Sequence, residues 1–355
     1  MDSFLTWAWG VQSSGRCMAT GVSIEILDLR HFAAPMLRPV LDAEGEIWKQ
    51  RLHWDYRTSS KLLMQYLDSH MLPGYAALEG GQVTGYAFCV YEETKAVIGD
   101  VFALGCQPAG LDDTPGTGPS PAPEAAATAY EIEQTLLKHL FETLVGSPHV
   151  DRIESQLLLH PSGAHAGIFR EAGFKVFRRL FMVQPLKSLW SQPRIELPHG
   201  LELRGWRDED LTPAGQLISE AYRDHPDSVI NDQYRSVHGS QRFLHNIVRY
   251  SGCGTFSPQV SHVIVHRQSR ELVALVLGSR VSAESGHITQ LCVHPGYRRH
   301  GLARMLLSLA AFHFMRHGAT EISLTVTESN ETAIDLYLSE GYAIAHNFDA
   351  AVWQR

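Results

Sequence analysis

Two distant stretches of this chain echo one another: Ala166-Gly167-Ile168-Phe169-Arg170-Glu171-Ala172-Gly173-Phe174 and Ala333-Ile334-Asp335-Leu336-Tyr337-Leu338-Ser339-Glu340-Gly341-Tyr342. Each reads as a short helix stopped by a glycine, the residue that most readily takes the left-handed C-cap conformation, and then an aromatic strand start. A repeat limits the fold strongly, because both copies must build the same unit. Upstream, each half carries a hairpin pattern. The first spans residues 74–78 and 83–91 across Glu79-Gly80-Gly81-Gln82, and the second spans 262–265 and 272–281 across 267–271. β-branched runs around such turns predict hairpins. A third strand (96–103; 287–293), a long helix (125–145; 301–316) and a further strand (152–159; 321–327) follow each time.

Each half is therefore predicted as strand, one or two helices, a three-strand meander, helix, strand, helix, strand. This is an α/β (α+β) arrangement, two domains each with a mostly antiparallel mixed sheet flanked by helices. A length of 355 residues suits two domains. The expected division is a loose leader over 1–20, a first domain over 21–186, a linker over 187–200 and a second domain over 201–355. Residues 107–123, rich in Pro, Gly, Ser and Thr, read as a flexible insertion.

Thirty basic residues against 38 acidic ones give a net charge of −8, which provides no electrostatic footprint for nucleic acid. No apolar run approaches the length of a membrane span. Five scattered cysteines without a Cys-x-x-Cys pair argue against a disulfide framework and a thiolate zinc site. They fit a reducing, cytoplasmic setting. His313 and His317 lack the glutamate of a metallopeptidase motif, so no metal is expected.

The most informative local pattern follows the strand Ile288-Thr289-Gln290-Leu291-Cys292-Val293. A turn, His294-Pro295-Gly296-Tyr297, leads into Arg298-Arg299-His300-Gly301-Leu302-Ala303, and the helix behind carries apolar residues at Leu302, Met305, Leu306, Leu309 and Ala310. The opening amides of a helix have no intrahelical acceptor, and its dipole favours negative charge there. Gly301 and Ala303 leave room for a diphosphate, and Arg298 and Arg299 add forked donors. A capped helix with a solvated basic start is the plainer alternative for any one of these residues. Neither a Walker nor a Rossmann glycine pattern is present.

Arg298-x-x-Gly301-x-Ala303 resembles the coenzyme-A pyrophosphate motif of the GNAT superfamily of N-acetyltransferases, Gln/Arg-x-x-Gly-x-Gly/Ala. Residues 327–333, then Leu336-Tyr337 and Gly341-Tyr342, are similar to the family's second conserved stretch. The resemblance covers most of 201–355 and implies transfer of acetyl from acetyl-CoA to an amine. It implies that the backbone of Leu291, Cys292 and Val293 holds the thioester, and that Arg298, Arg299, His300, Gly301, Leu302, Ala303 and Asn330 hold the coenzyme. It also implies that Tyr337 protonates the leaving sulfur. Half-buried packing is the competing role for Tyr337, and helix N-capping for Asn330. For a general base the candidates are His287, set by alternation on one face with Thr289, Leu291 and Val293, and Glu284 in the preceding turn. A solvent-facing strand end competes with both. Cys292 is expected to be a buried structural thiol. Trp48, Trp54 and Tyr56 read first as core, and second as cleft lining.

The first half lacks Arg-x-x-Gly-x-Ala after Ala103 and carries Asp112, Asp113 and Glu124 nearby. This half is expected to bind no coenzyme, and either to shape the acceptor pocket or to pack against the active half. The expected activity is acetylation of a small-molecule primary amine in a ternary complex. A protein lysine or N-terminal acceptor, or a non-catalytic acyl-CoA-binding role, are the alternatives.

Overall fold

The computed structural model describes residues 17–19, 22–105, 123–186, 193–250 and 254–355. Most of the expected leader, nearly all of the expected insertion and residues 187–192 of the expected linker lie outside the described residues.

The first half runs β1 (Cys17–Ala19), β2 (Val22–Asp28), α1 (Ala34–Leu52), α2 (Arg57–Asp68), β3 (Gly74–Glu79), β4 (Gln82–Glu92), β5 (Lys95–Ala103), α3 (Pro123–Gly146), β6 (Arg152–Gln156), α4 (Ala166–Glu171) and β7 (Lys175–Pro185). The second runs β8 (Leu201–Gly205), α5 (Leu211–Ala221), α6 (Asp227–Ile230), α7 (Val237–Arg249), β9 (Thr255–Phe256), β10 (His262–His266), β11 (Leu272–Arg280), β12 (Ser285–Val293), α8 (Leu302–Arg316), β13 (Glu321–Thr327), α9 (Glu331–Ser339) and β14 (Ala343–Gln354). The element order follows the one the repeat predicts, with an additional strand β1 in the first half and a third helix and the short β9 in the second. Both short helices stop at left-handed glycines, Gly173 (φ 87°) and Gly341 (φ 91°).

The halves share one sheet of order β1-β2-β3-β4-β5-β6-β14-β7-β13-β12-β11-β10-β8. The final strands have changed places. β14 lies between β6 and β7, pairing antiparallel with both, while β7 runs antiparallel along the whole of β13. Each half is thus completed by the other's last strand, and the two cannot part without breaking ladder hydrogen bonds.

On one face of the sheet α8 packs over the second half, its buried Phe314 lying across Gly278 and Gly286. A Cβ at those glycines would approach the ring to 2.8 and 2.5 Å, so both must stay small for the helix to seat. α3 packs similarly over the first half. On the opposite face α1 and α2 cover the first half, and α5 and α7 cover the second. Between these helical layers runs a seam filled by Trp48, Trp54, Phe181 and Phe348. Trp48 stacks on Trp54 at 5.5 Å and on Tyr56 at 5.1 Å. These aromatics therefore pack the junction of the halves.

Beside the aromatics the seam is ionic. Lys95 Nζ meets Asp232 at 2.7 Å, Glu92 at 3.1 Å and Glu154 at 3.3 Å, and Arg152 Nε meets Glu154 at 2.6 Å. Arg152 also donates to the Val229 carbonyl at 2.5 Å, and the Asp232 amide donates to Glu154 at 3.0 Å. Such buried charges are costly alone and tolerable only when matched, as they are here. They fasten the segment joining α5 to α7 onto the first half. Among the described residues no helix is long and apolar enough to cross a membrane.

Candidate active site

β12 and β13 are parallel and paired only at Ser285–Glu321, Gly286–Ile322 and His287–Ser323. Beyond that point they diverge. β12 stays paired with β11 as far as Val293, and β13 with β7 as far as Thr327, so each turns an unpaired inner edge toward a wedge. The His294 amide donates to the Val273 carbonyl at 2.8 Å, marking a residue whose amide faces β11. Antiparallel strands alternate in this respect, so the N–H and C=O groups of Leu291 and Val293 face the wedge, and those of Cys292 face β11.

The ladder between β11 and β12 slips by one residue at Leu277/Gly278, opposite Thr289. This bulge corrects the expected side-chain alternation. Ile288, Leu291 and Val293 pack toward α8, whereas Cys292 packs toward α5. His287 therefore does not share a face with Leu291 and Val293; one extra residue in the strand inverts everything after it. The structure instead buries His287 against Trp54 (4.9 Å) and Phe181 (6.2 Å), with Nδ1 2.9 Å from Ser323 Oγ. Burial, and then the positive charge of Arg179, push its pKa down to about 3. Such a ring is a feeble proton acceptor at neutral pH. Glu284 stands exposed in the turn before β12, at the end of that strand remote from Val293. Neither expected base lies at the open end of the wedge.

After β12 the chain makes a tight turn over Pro295–Tyr297, and Arg299 (φ 67°) and Gly301 (φ 75°) both take left-handed conformations before α8 begins. The first intrahelical bond runs from the Met305 amide to the Gly301 carbonyl, so the amides of Leu302, Ala303 and Arg304 precede it. Its chain neighbours and the helix backbone aside, no atom lies within 4 Å of the position a Gly301 Cβ would take, and Gly301 itself is exposed. Arg298 is turned back. Its guanidinium donates to the Ala221 carbonyl at 2.7 Å and to the Val293 carbonyl at 3.3 Å, tying the turn to α5. Arg299 and His300 are exposed at the mouth of α8, His300 donating to the Arg298 carbonyl at 2.8 Å.

The far wall comes from β13 and α9. Asn330 caps α9, accepting from the Ala333 amide at 3.3 Å, and its amide nitrogen lies 3.4 Å from His225 Nε2. Tyr337 is 9% exposed. Burial raises its hydroxyl pKa, Asp227 adds to the rise and Arg179 opposes it. Its proton is thus firmly held. Burial likewise pushes the Cys292 thiol up, leaving an inert thiol.

Sequence reading missed three residues here. Asp227, at the start of α6, accepts from Thr327 Oγ1. Tyr234 packs against Tyr222 at 4.4 Å. Arg179, on β7, donates to Gln156 at 2.6 Å and to Thr325 at 3.3 Å. Two come from an irregular connection and one from an exchanged strand, so no spacing links them. The one available signal was the pair Arg178-Arg179 interrupting an apolar strand.

The first half contains the same wedge, closed. β5 and β6 pair only over Lys95–Arg152 to Ile98–Ser155, and the β4/β5 ladder slips opposite Gly99. The Leu104 amide donates to Thr84 as His294 does to Val273, which sets Ala103 and Val101 in the places of Val293 and Leu291. Both wedge-facing amides already donate to carboxyl oxygens: Ala103 to Glu133 at 3.1 Å and Val101 to Asp100 at 2.9 Å, the Asp100 carboxyl being held well above its usual pKa by burial and by Glu44. Glu133 in turn lies 3.2 Å from His160 Nε2 and 3.1 Å from His165 Nε2. These three ligand atoms lie within 4.8 Å of one another, so the expectation of no metal meets one buried group able to hold an ion.

Comparison with known proteins places this geometry. The family described as Acetyltransferase (GNAT) matches residues 221–342. A GCN5-related N-acetyltransferase from Sphaerobacter thermophilus is similar over 93% of this chain and 95% of its own, with TM-score 0.58 and 16% identity. A tandem GNAT protein from the clavulanic acid biosynthesis pathway is similar over 93% of this chain and 98% of its own, with TM-score 0.53 and 12% identity. Both halves therefore have the GNAT fold, and the second is a GNAT acetyltransferase domain.

Proposed function

We propose that this chain, a tandem GNAT-fold acyltransferase, uses only its second half for catalysis and transfers acetyl from acetyl-CoA to the primary amine of a small molecule. One contrast supports this reading most directly. The wedge-facing amides at Leu291 and Val293 lie where β12 and β13 no longer pair, whereas the matching amides at Val101 and Ala103 donate to the carboxyl groups of Asp100 and Glu133. We take the domains as 21–186 and 201–355, joined by 187–200. The buried free thiols of Cys89 and Cys292 suit a reducing cytoplasmic setting.

In this reading the amides of Leu302 and Ala303, the left-handed turn at Gly301, and the exposed Arg299 and His300 hold the coenzyme diphosphate. Arg298 shapes the turn, and Asn330 stiffens the far wall. Bound acetyl-CoA supplies the acyl group as a thioester. The Leu291 amide donates to the acyl oxygen as negative charge develops there, the kind of preorganised donor that dominates many acyl transfers. Asp227 receives the proton of the incoming amine, directly or through water. Tyr337, kept protonated by burial, gives its proton to the departing thiolate. The first half acts as the fixed wall of the acceptor pocket, holding the segment that carries Asp227 and Tyr234 through Lys95, Arg152 and Glu154.

The test is release of free coenzyme-A thiol over a panel of amino acids, polyamines, aminosugars and peptides. Thiol release that depends on a small amine, and is lost in Gly301→Glu, supports the reading. Acetylation confined to peptides would replace the small-molecule acceptor with a protein one.

A further inference from the structure

Nearly every buried cation of the seam has a carboxylate partner. Lys95 has three, and Arg152 has Glu154 and Asp232. Arg179 differs. Among the described residues it has no carboxylate within ion-pair distance. Its hydrogen bonds go to the neutral Gln156 and Thr325, its guanidinium lies 5.9 Å from the Phe348 ring centroid, and its Nε–H is buried without a partner. A half-buried guanidinium whose donors are incompletely used is costly, and one natural way to recover the cost is an anion that arrives with a ligand.

Its position gives that anion a role. Arg179 is contributed by the first half but stands opposite Thr327 in the β7–β13 ladder. It holds Thr325, while Asp227 holds Thr327, two residues further along the same face. Alternate residues on a strand are about 7 Å apart. A negative group and an unmatched positive group are therefore set side by side at the wedge. Tyr337 and Tyr234 feel both charges.

Building on the acetyltransferase reading, we propose that Arg179 is the specificity-determining residue of the acceptor pocket, and that the acceptor is an amine that also carries an anionic group, a carboxylate or a phosphate. The amine lies toward Asp227 and the anion toward Arg179. The first half thereby supplies a substrate-binding side chain across the exchanged strand.

The test uses matched pairs on the full chain saturated with acetyl-CoA: amino acids against their amides, and aminoalkyl phosphates against the corresponding alcohols. The wild type should acetylate the anionic member of a pair about 10- to 100-fold better in kcat/KM, the size of one charge-assisted contact. Arg179→Gln should remove that preference through KM, with coenzyme affinity unchanged, and Arg179→Lys should restore part of it. The carboxylate and phosphate arms tell the two anions apart. A parallel measurement needs no turnover: N-acetylated amino acids and their amides are titrated against the same proteins by calorimetry. Equal treatment of anionic and neutral members in both measurements overturns the proposal while leaving the acetyltransferase reading intact. An Arg179→Gln loss shared equally by anionic and neutral amines also overturns it. Failure of coenzyme binding itself would count instead against the acetyltransferase reading.

Discussion

The backbone amide of Ala103 donates to the Glu133 carboxylate at 3.1 Å, at the place where Val293 in the other half leaves its amide facing an open wedge. Burial alone would raise the Glu133 pKa, but His160 and then His165 outweigh it and hold the carboxyl at about 2. A folded-state pKa depressed from 4.5 gives stability that is present above about pH 4.5 and is lost as pH falls toward 2. Glu133→Gln should flatten this acid limb of the unfolding curve. Glu133→Ala should cost about 1–3 kcal/mol by orphaning buried donors, without altering turnover at temperatures where the variant is folded. Calorimetric unfolding from pH 2 to 7 checks both.

Tyr337→Phe keeps the ring that packs against Tyr342 at 5.8 Å and deletes only the proton donor. Turnover should fall about 100-fold, the usual scale of general acid catalysis, with coenzyme affinity nearly unchanged. Pre-steady-state kinetics should locate the loss in the chemical step. Unchanged turnover where chemistry limits the rate would remove Tyr337 as the acid.

Asp227→Asn preserves the shape at Thr327 and removes a charge. The expected result is a lower kcat with the amine, recovered in part at higher pH where more free amine is present. A kcat that is unaffected at every pH would assign the proton transfer to bound water alone.

His287 should not appear in the pH–rate profile. Its pKa, lowered from 6.5 to about 3, makes it a stability group: its contribution is full above about pH 6.5 and is lost as pH falls toward 3. His287→Gln should therefore soften acid unfolding while leaving the rate profile unchanged. An inflection in the rate that disappears in this variant would restore His287 as a base.

Trp54 is wedged among Trp48, Phe181 and His287 where the halves meet. Trp54→Ala should cost about 3–5 kcal/mol in urea unfolding. Because the final strands are exchanged, unfolding should remain a single transition for both halves. Two resolved transitions would contradict that coupling.

Much of this fold was legible because the repeat fixed the element order and because glycine stops, alternating apolar runs and the Gly301 helix start are local signals. Asn330 takes the helix-cap place its residue type suits, and Tyr337 is the buried ring of the same helix. The strand exchange was not legible, since a strand pattern over Lys175–Pro185 or Ala343–Gln354 does not name the strand it pairs with. The bulge at Thr289 was equally hidden, and it turned the expected face of His287 the wrong way. Asp227 and Arg179 had no motif because their meeting depends on that exchange and on an irregular connection.

The most direct measurement is calorimetric titration of acetyl-CoA into the wild-type chain and Gly301→Glu. The wild type should bind one equivalent per chain and the variant none, because its glutamate puts bulk and negative charge at the diphosphate and strains a backbone at φ 75°. Two equivalents per chain, or undiminished affinity in Gly301→Glu, would contradict a single coenzyme site at Gly301.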